Sequence, residues 1–196
     1  MTDINKRSEK NGGIGDMDKK STNRVYKRVP LVIMVFAIYL FGVSFAVAGT
    51  QVVSLNPAVN DIVSGQTVEL ALNYNVLDGK SKTTGLGISI HFNSKAIKSL
   101  SLEDVYGEGM VGQDYTPKDD VSDLDNDPET DKYVIVAWMG LMGGWPRLLE
   151  LPAQIGNVVV KTKVDGTLMN TKINVVGKET AAGYQFEGKS TKLTIH

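Results

Sequence analysis

The chain has 196 residues, of which 42% are hydrophobic and 22% are charged, and it contains no cysteine. These fractions are typical of a globular protein rather than a disordered one. The lack of cysteine excludes a disulfide framework, a thiol nucleophile and a thiolate metal site. If the protein is exported, its stability must therefore come from its core, or from its core together with a metal ion.

The charges are distributed unevenly along the chain. Residues 1–29 contain eight basic and four acidic side chains, which leaves 13 basic and 18 acidic side chains for the rest. A mildly acidic remainder without a basic stripe is a poor candidate for binding nucleic acid. We therefore expect no nucleic-acid partner.

An uncharged run of 18 apolar or small residues extends from Leu31 to Ala48 and follows a basic flank. It ends in Ala46-Val47-Ala48 before Gly49, the small-x-small pattern of a signal-peptidase site. The sequence thus predicts a polar basic leader at 1–29, expected to be disordered, and a hydrophobic helix at 30–48. We favour cleavage between Ala48 and Gly49, although the run also approaches the ~20 residues of an uncleaved membrane anchor.

Both interpretations of this segment predict the same topology. The basic flank stays in the cytoplasm by the positive-inside rule, so residues 49–196 lie outside the membrane. The expected location is extracytoplasmic, either secreted or anchored to the outer face of the cytoplasmic membrane. Any contact of the protein with a membrane is then expected only through an uncleaved N-terminal segment.

Residues 49–196 show apolar and polar residues in alternation, which is the pattern of half-buried strands. In 67–76, for example, Val68, Leu70, Leu72, Tyr74 and Val76 share one face. About nine strands without intervening helices predict an all-β fold, an antiparallel β-sandwich of jelly-roll or immunoglobulin-like type. The predicted strands are 67–76, 85–92, 133–139, 155–164, 171–176, 183–186 and 192–196, with weaker candidates at 51–55, 61–63 and 97–102.

Four stretches of this pattern resemble the cohesin domain, a jelly-roll sandwich related to cellulose-binding modules. They are Val53 to Pro57 with Ser64 to Val68, Gly85 to Asn93 with Ile97, Ile155 to Val164, and Ile173 to Val175 through Gly183 to Phe186 and Leu193 to Ile195. The resemblance covers nearly all of residues 50–196 and implies a non-catalytic module that binds a dockerin-like protein. The residues with which the family contacts dockerin cannot be matched one by one to positions of this sequence, so none is carried over.

Residues 114–131, the acidic segment, contain eight carboxylates and one lysine and are not a feature that the cohesin resemblance explains. Aspartates spaced by two can direct several oxygens to one point, as calcium requires. We predict a structural calcium site. Its expected ligands are Asp123, Asp125, Asp127 and Asp131, with Asp119 and Asp120 as second choices.

The spacing of these aspartates is not that of an EF-hand, since Pro128 stands where the EF-hand loop requires glycine and Val134 stands in place of the bidentate glutamate. The alternative is a solvated acidic loop that binds no ion, as runs of like charge commonly are.

Trp145 lies in the turn-type sequence Gly143-Gly144-Trp145-Pro146, where a large ring has less reason to be buried. It could stack on a sugar or anchor a protein interface, with Tyr106 and Tyr115 as neighbours in an aromatic patch. It could equally fold back over the end of the sandwich. Trp138, within a predicted strand, is expected in the core.

Catalytic motifs are not evident in the sequence. There are two histidines, His91 and His196, and no serine in a nucleophile-elbow context. We expect an exported, non-catalytic, cohesin-like binding module for protein–protein recognition or cell-surface assembly. The alternatives are a carbohydrate-binding module that takes polysaccharide, and a structural surface or matrix protein without a dedicated ligand.

Overall fold

The computed structural model describes residues 49–57, 60–164, 168–179 and 181–196. These ranges form eleven strands: β1 (Gly49–Pro57), β2 (Asp61–Ile62), β3 (Thr67–Leu77), β4 (Gly85–Phe92), β5 (Ile97–Glu103), β6 (Met110–Asp119), β7 (Lys132–Met139), β8 (Ala153–Thr162), β9 (Met169–Glu179), β10 (Tyr184–Lys189) and β11 (Thr191–Ile195). The predicted leader, hydrophobic segment and residues Ala46 and Ala48 lie outside the described ranges, whereas Gly49 begins β1. In the described part of the chain, no helix is long and apolar enough to cross a membrane.

The strands form two sheets that pack face to face. The five-stranded sheet has the order β10-β1-β3-β8-β5, and the six-stranded sheet has the order β2-β11-β9-β4-β7-β6. Most neighbours are antiparallel, but β1 pairs with β10 and β11 pairs with β2 in parallel. The predicted all-β sandwich is confirmed, with eleven strands in place of about nine.

The alternation of apolar and polar residues along the strands determines which side chains face the core. From β3, Leu70, Leu72 and Tyr74 are fully buried, and they belong to the same hydrophobic core as Ile88 and Ile90 of β4 in the other sheet. Burying this many large apolar side chains, each worth about 1.5–3 kcal/mol, is the main stabilising contribution to such a domain. Trp138 is 2% exposed, so its predicted place in the core is confirmed.

All ten predicted strands occur, with ends shifted by a few residues. The sequence pattern did not reveal β6, which takes in the first six residues of the acidic segment, so the segment is not one continuous loop. β6 is mostly exposed, pairs only with β7, and has two register shifts in that pairing. An edge strand with Gly112 and Pro117 shows little alternation because neither of its faces is consistently buried.

Gln51 links the two sheets at one end of the sandwich. Its side chain is fully buried, and its amide nitrogen donates to the Tyr74 hydroxyl and to the Gly85 carbonyl, both at 2.8 Å. Its side-chain oxygen accepts a hydrogen bond from the Ala181 amide, also at 2.8 Å. One side chain thus satisfies buried polar groups from β3, β4 and the segment before β10, which would be costly to leave unpaired.

We expect Gln51→Leu to lower the free energy of unfolding by roughly 3 kcal/mol, because it removes hydrogen bonds to two buried backbone groups and leaves the buried Tyr74 hydroxyl with only its 3.4 Å contact to Thr83. The measurement is equilibrium urea unfolding of residues 49–196. Gln185→Leu on the exposed side of β10 is the matched control and should change stability by less than about 0.5 kcal/mol. Equal effects of the two substitutions would contradict this role for Gln51.

Candidate functional site

The outer face of the six-stranded sheet carries a buried polar cluster on β4. Ser89 and His91 point away from the core, as their place in the alternation predicts, yet both are 0% exposed. They are covered because residues 120–131, the acidic loop, contact this face at the end of the sheet where Phe92 of β4 lies opposite Lys132 of β7. Tyr133 of β7 completes the enclosure, with its ring stacked on the imidazole at a centroid distance of 5.1 Å.

The acidic loop is held to the sheet through its carboxylates. Asp120 Oδ2 lies 2.8 Å from His91 Nδ1, and Asp125 Oδ1 lies 3.9 Å from the same nitrogen. The side chains of the two aspartates are 0% and 1% exposed. Asp125 Oδ2 also accepts hydrogen bonds from Asn174 at 2.8 Å and from the Thr130 hydroxyl at 2.6 Å. Donors from the protein itself therefore compensate two buried carboxylates.

Asp127 is held separately by β9. Its Oδ2 accepts hydrogen bonds from the Lys172 ammonium at 3.0 Å and from Asn174 at 3.1 Å. The hydrogen bond from Lys172 lowers the pKa of the Asp127 carboxyl, and the same pair raises the pKa of Lys172. The carboxylate is thus kept charged, and the second half of the loop is tied to β9.

The remaining predicted ligands point to other partners. Asp131 accepts hydrogen bonds from the Ser94 amide and hydroxyl, each at 2.6 Å. Burial raises the pKa of Asp131, but these hydrogen bonds outweigh it and the pKa is lowered. Asp119 pairs with Lys132, and Asp123 is exposed with a left-handed φ of 49°. The six aspartates therefore do not converge on one point.

The group that does converge is His91 with Asp120 and Asp125, whose ligand atoms lie within 4.8 Å of one another. Sequence reasoning found the two aspartates but not the histidine, which comes 29 residues earlier on another strand. One nitrogen and two carboxylates are few ligands for calcium, which prefers six to eight oxygens. Calcium binding stays a prediction, and in this structure the loop is ordered by hydrogen bonds from the protein.

Ser89, His91 and Asp120 also occur in the hydrogen-bonding order of a serine hydrolase triad. The Ser89 hydroxyl lies 2.7 Å from His91 Nε2, and His91 Nδ1 faces Asp120. A nucleophile must reach the substrate, however, and both Ser89 and His91 are fully buried beneath the loop. The contacts therefore fit a structural network that satisfies buried polar groups.

Trp145 is 1% exposed and belongs to the core, so of the two alternatives the ring folds back over the end of the sandwich and is not exposed for stacking. Its ring lies 5.0 Å from Tyr74, 5.6 Å from Trp138 and 6.4 Å from Tyr106, and its indole nitrogen donates to the Glu108 carbonyl at 3.0 Å. It thus closes the end of the sandwich. Tyr106 joins this cluster, whereas Tyr115 lies on β6 with its hydroxyl on Gln113.

The outer face of the five-stranded sheet is open by comparison. Its central side chains are small and half-exposed, including Ser54, Ala71, Asn73 and Asn157. They form rows across the strands, with Ser54 opposite Asn73, and Ala71 opposite Asn157. A shallow groove of about 340 Å³ follows β1 and β3 on this face. The sheet therefore offers a largely polar outer surface of small side chains.

Comparison with known proteins gives matches at the level of structure. No family model matches the chain, and no curated protein matches it. The solved structures that match are mostly cohesin modules. A cohesin module of a Clostridium perfringens family 33 glycoside hydrolase is 15% identical, covers 76% of this chain and 97% of its own, and has a TM-score of 0.44.

Two further matches are type I cohesins. The seventh ScaB cohesin of Pseudobacteroides cellulosolvens is 12% identical, with 74% and 92% coverage and a TM-score of 0.44. The OlpA cohesin of Clostridium thermocellum, solved as a complex with a dockerin, is 11% identical, with 74% and 99% coverage and a TM-score of 0.42. The resemblance to cohesin modules is confirmed, and at these values it carries no argument about function.

We expect His91→Phe to lower the free energy of unfolding by about 3–5 kcal/mol, because it removes the imidazole partner of the buried Asp120 carboxylate. Urea unfolding of residues 49–196 at pH 7 measures the change. Ser89→Ala is the matched control within the same cluster. It removes one neutral hydrogen bond and should cost about 1 kcal/mol.

A structural role also predicts that Ser89 does not react with a fluorophosphonate probe. Labelling of the native protein at Ser89 that is lost in His91→Phe, under conditions where the variant is folded, would contradict that role. It would show an accessible and activated serine.

For calcium, we expect heat of binding in a calorimetric titration at millimolar concentration, the range in which extracellular modules bind the ion. Asp125→Asn should abolish the heat, because Asp125 is the most enclosed of the first-choice ligands. Asp114→Asn, in the same acidic segment but on β6, should leave it unchanged. A titration without heat would contradict the predicted binding of calcium by this loop.

Proposed function

We propose that residues 49–196 are an exported, non-catalytic binding module that recognises a protein partner through the outer face of the five-stranded sheet. The observation that carries the proposal is the contrast between the two outer faces. On the six-stranded sheet the acidic loop covers the β4 cluster, whereas on the five-stranded sheet the small side chains around Ala71 and Asn73 lie open across neighbouring strands.

The composition of the open face favours a protein over a sugar. Sugar-binding surfaces stack rings on accessible aromatic side chains, whereas β1, β3 and β8 at the centre of this sheet contain one aromatic residue, Tyr74, and its side chain is buried in the core. Half-exposed asparagine, serine and alanine side chains instead leave backbone and amide groups within reach of a complementary surface. A dockerin-like protein is the partner class that the sequence resemblance implies.

The buried state of the Ser89–His91–Asp120 contacts supports a role without catalysis. The second histidine, His196, is the last residue of the chain and lies 3.5 Å from Asp61 at the surface. A carboxylate pair for glycoside hydrolysis could be assembled from the acidic loop. There Asp120 and Asp125 are enclosed and occupied by hydrogen bonds from His91, Asn174 and Thr130.

The test compares one substitution on the two outer faces. Ala71→Arg places a long charged side chain in the middle of the five-stranded sheet, and Ala137→Arg does the same on β7 of the six-stranded sheet. Both alanines are partly buried and face away from the core. Immobilised residues 49–196 and the two variants are exposed to the native surface and secreted fraction.

We expect one protein to be captured by the native domain and by Ala137→Arg, and to be lost at least tenfold with Ala71→Arg. Loss with Ala137→Arg alone would contradict the proposed face. Elution of glycan in place of protein would establish a carbohydrate-binding module. Recovery of only the domain itself would favour a structural protein that self-associates.

A further inference from the structure

His91, Asp120 and Asp125 bring three metal-ligating atoms close together beneath the acidic loop. Asp120 Oδ2 lies 2.8 Å and Asp125 Oδ1 lies 3.9 Å from His91 Nδ1, and the ligand atoms of all three residues lie within 4.8 Å of one another. In a tetrahedral site with ligands about 2.0–2.1 Å from the ion, two ligand atoms are about 3.3 Å apart. The two measured distances lie about 0.5 and 0.6 Å on either side of that value, so small side-chain rotations make room for an ion.

The charge of this group is not balanced by other side chains. The two carboxylates are 0% and 1% exposed, and within the described ranges both form ion pairs only with His91. Lys172 on β9 pairs with Asp127 instead, at 3.0 Å. The hydrogen bonds from Asn174 and Thr130 satisfy oxygens but bring no charge. Buried charge without a counterion is costly, and a divalent cation bound to the neutral imidazole would bring the charge of the group to zero.

The surroundings orient the imidazole as a metal ligand requires. A metal-binding histidine donates its other ring N–H to a neighbouring oxygen, which fixes the ring and the nitrogen that binds the ion. Here the Ser89 hydroxyl lies 2.7 Å from Nε2, so Nε2–H can donate to it while Nδ1 presents its lone pair to the carboxylates. Tyr133 stacks on the ring at 5.1 Å. The amide of Asn174 holds Oδ2 of Asp125, which directs Oδ1 toward Nδ1.

The mixture of ligand types selects the class of ion. Imidazole nitrogen suits zinc and the neighbouring transition metals, whereas calcium prefers six to eight oxygens. Three protein ligands leave one tetrahedral position for a water molecule or a second carboxylate oxygen. The group under the acidic loop therefore fits an ion of the zinc class better than it fits calcium.

We propose that His91 Nδ1, Asp120 and Asp125 bind a divalent transition-metal ion of the zinc class, which fastens the acidic loop to β4. Asp120 begins the loop, and its amide donates to the Asp131 carbonyl at the other end of the loop at 2.9 Å. The ion thus joins the base of the loop to the sheet. This inference goes beyond the proposed function, whose partner surface lies on the other sheet, and it assigns the group to a different ion from the calcium predicted from aspartate spacing.

The test is a calorimetric titration of the untagged full chain with Zn²⁺, after removal of bound metal, in non-ionic detergent because of the apolar run 31–48. We expect His91→Gln to weaken binding by roughly a hundredfold or more, and Ser89→Ala, which keeps all three ligands but removes the acceptor for Nε2–H, to weaken it about tenfold. His196→Gln is the matched control, because His196 lies 3.5 Å from Asp61 at the surface. This variant should change the affinity by less than about twofold.

A second measurement on the native chain does not depend on the folding of a variant. With histidine labelled with nitrogen-15, Zn²⁺ should shift the Nδ1 resonance of His91 in the NMR spectrum and leave the ring of His196 unchanged. A titration without heat, or an unshifted Nδ1 resonance, would overturn the proposal.

Equal losses of affinity in His91→Gln and His196→Gln would also overturn it, because they would not place the ion at His91. Displacement of the ion by millimolar calcium would do the same, since it would indicate a site built from oxygens. The test does not involve Ala71 or Ala137, so its failure leaves the proposed partner surface untouched.

Discussion

The outer face of the six-stranded sheet depends on the contact between the His91 imidazole and the carboxylates of Asp120 and Asp125. Burying a carboxylate costs several kcal/mol unless a donor compensates it, so the acidic loop can lie on the sheet only where such donors exist. His91, Asn174 and Thr130 supply them. Because the loop is held there, this face is closed near β4, and the five-stranded sheet has the more open of the two outer faces.

The same contact explains why the alternation of β4 is misleading when it is taken alone. Gly87, Ser89 and His91 fall on the outward side, and a strand with one solvated side is the natural prediction. Every residue of β4 is nevertheless buried, because its neighbours β7 and β9 and the acidic loop cover that side. Local pattern gives the direction of a side chain, while its exposure depends on a segment about 30 residues further along the chain.

The strands were predictable to within a few residues wherever one face is buried, as in 67–76 and 85–92. β6 escaped prediction because an exposed edge strand has no such constraint. Of the site, Asp120 and Asp125 were among the predicted ligands, because closely spaced carboxylates are visible in sequence. His91 and Asn174 were not, since only the pairing of β4 with β9 places them opposite each other. Trp145 was ambiguous because a Gly-Gly turn permits a ring to point either way, and contacts with Tyr74 and Trp138 decide it.

The two ends of the domain thus differ in what surrounds their loops. At one end, carboxylates are held on the sheet by a histidine, an asparagine and Lys172, so charge accumulates there. At the other end, two tryptophans and Tyr74 fill the space between the sheets, and the turn that closes this cluster has no interior position left for Leu141 and Met142. Because Trp145 must be buried to close the core, the residues before it are forced outward. The exposure of Leu141 and Met142 is therefore a consequence of the packing of the core.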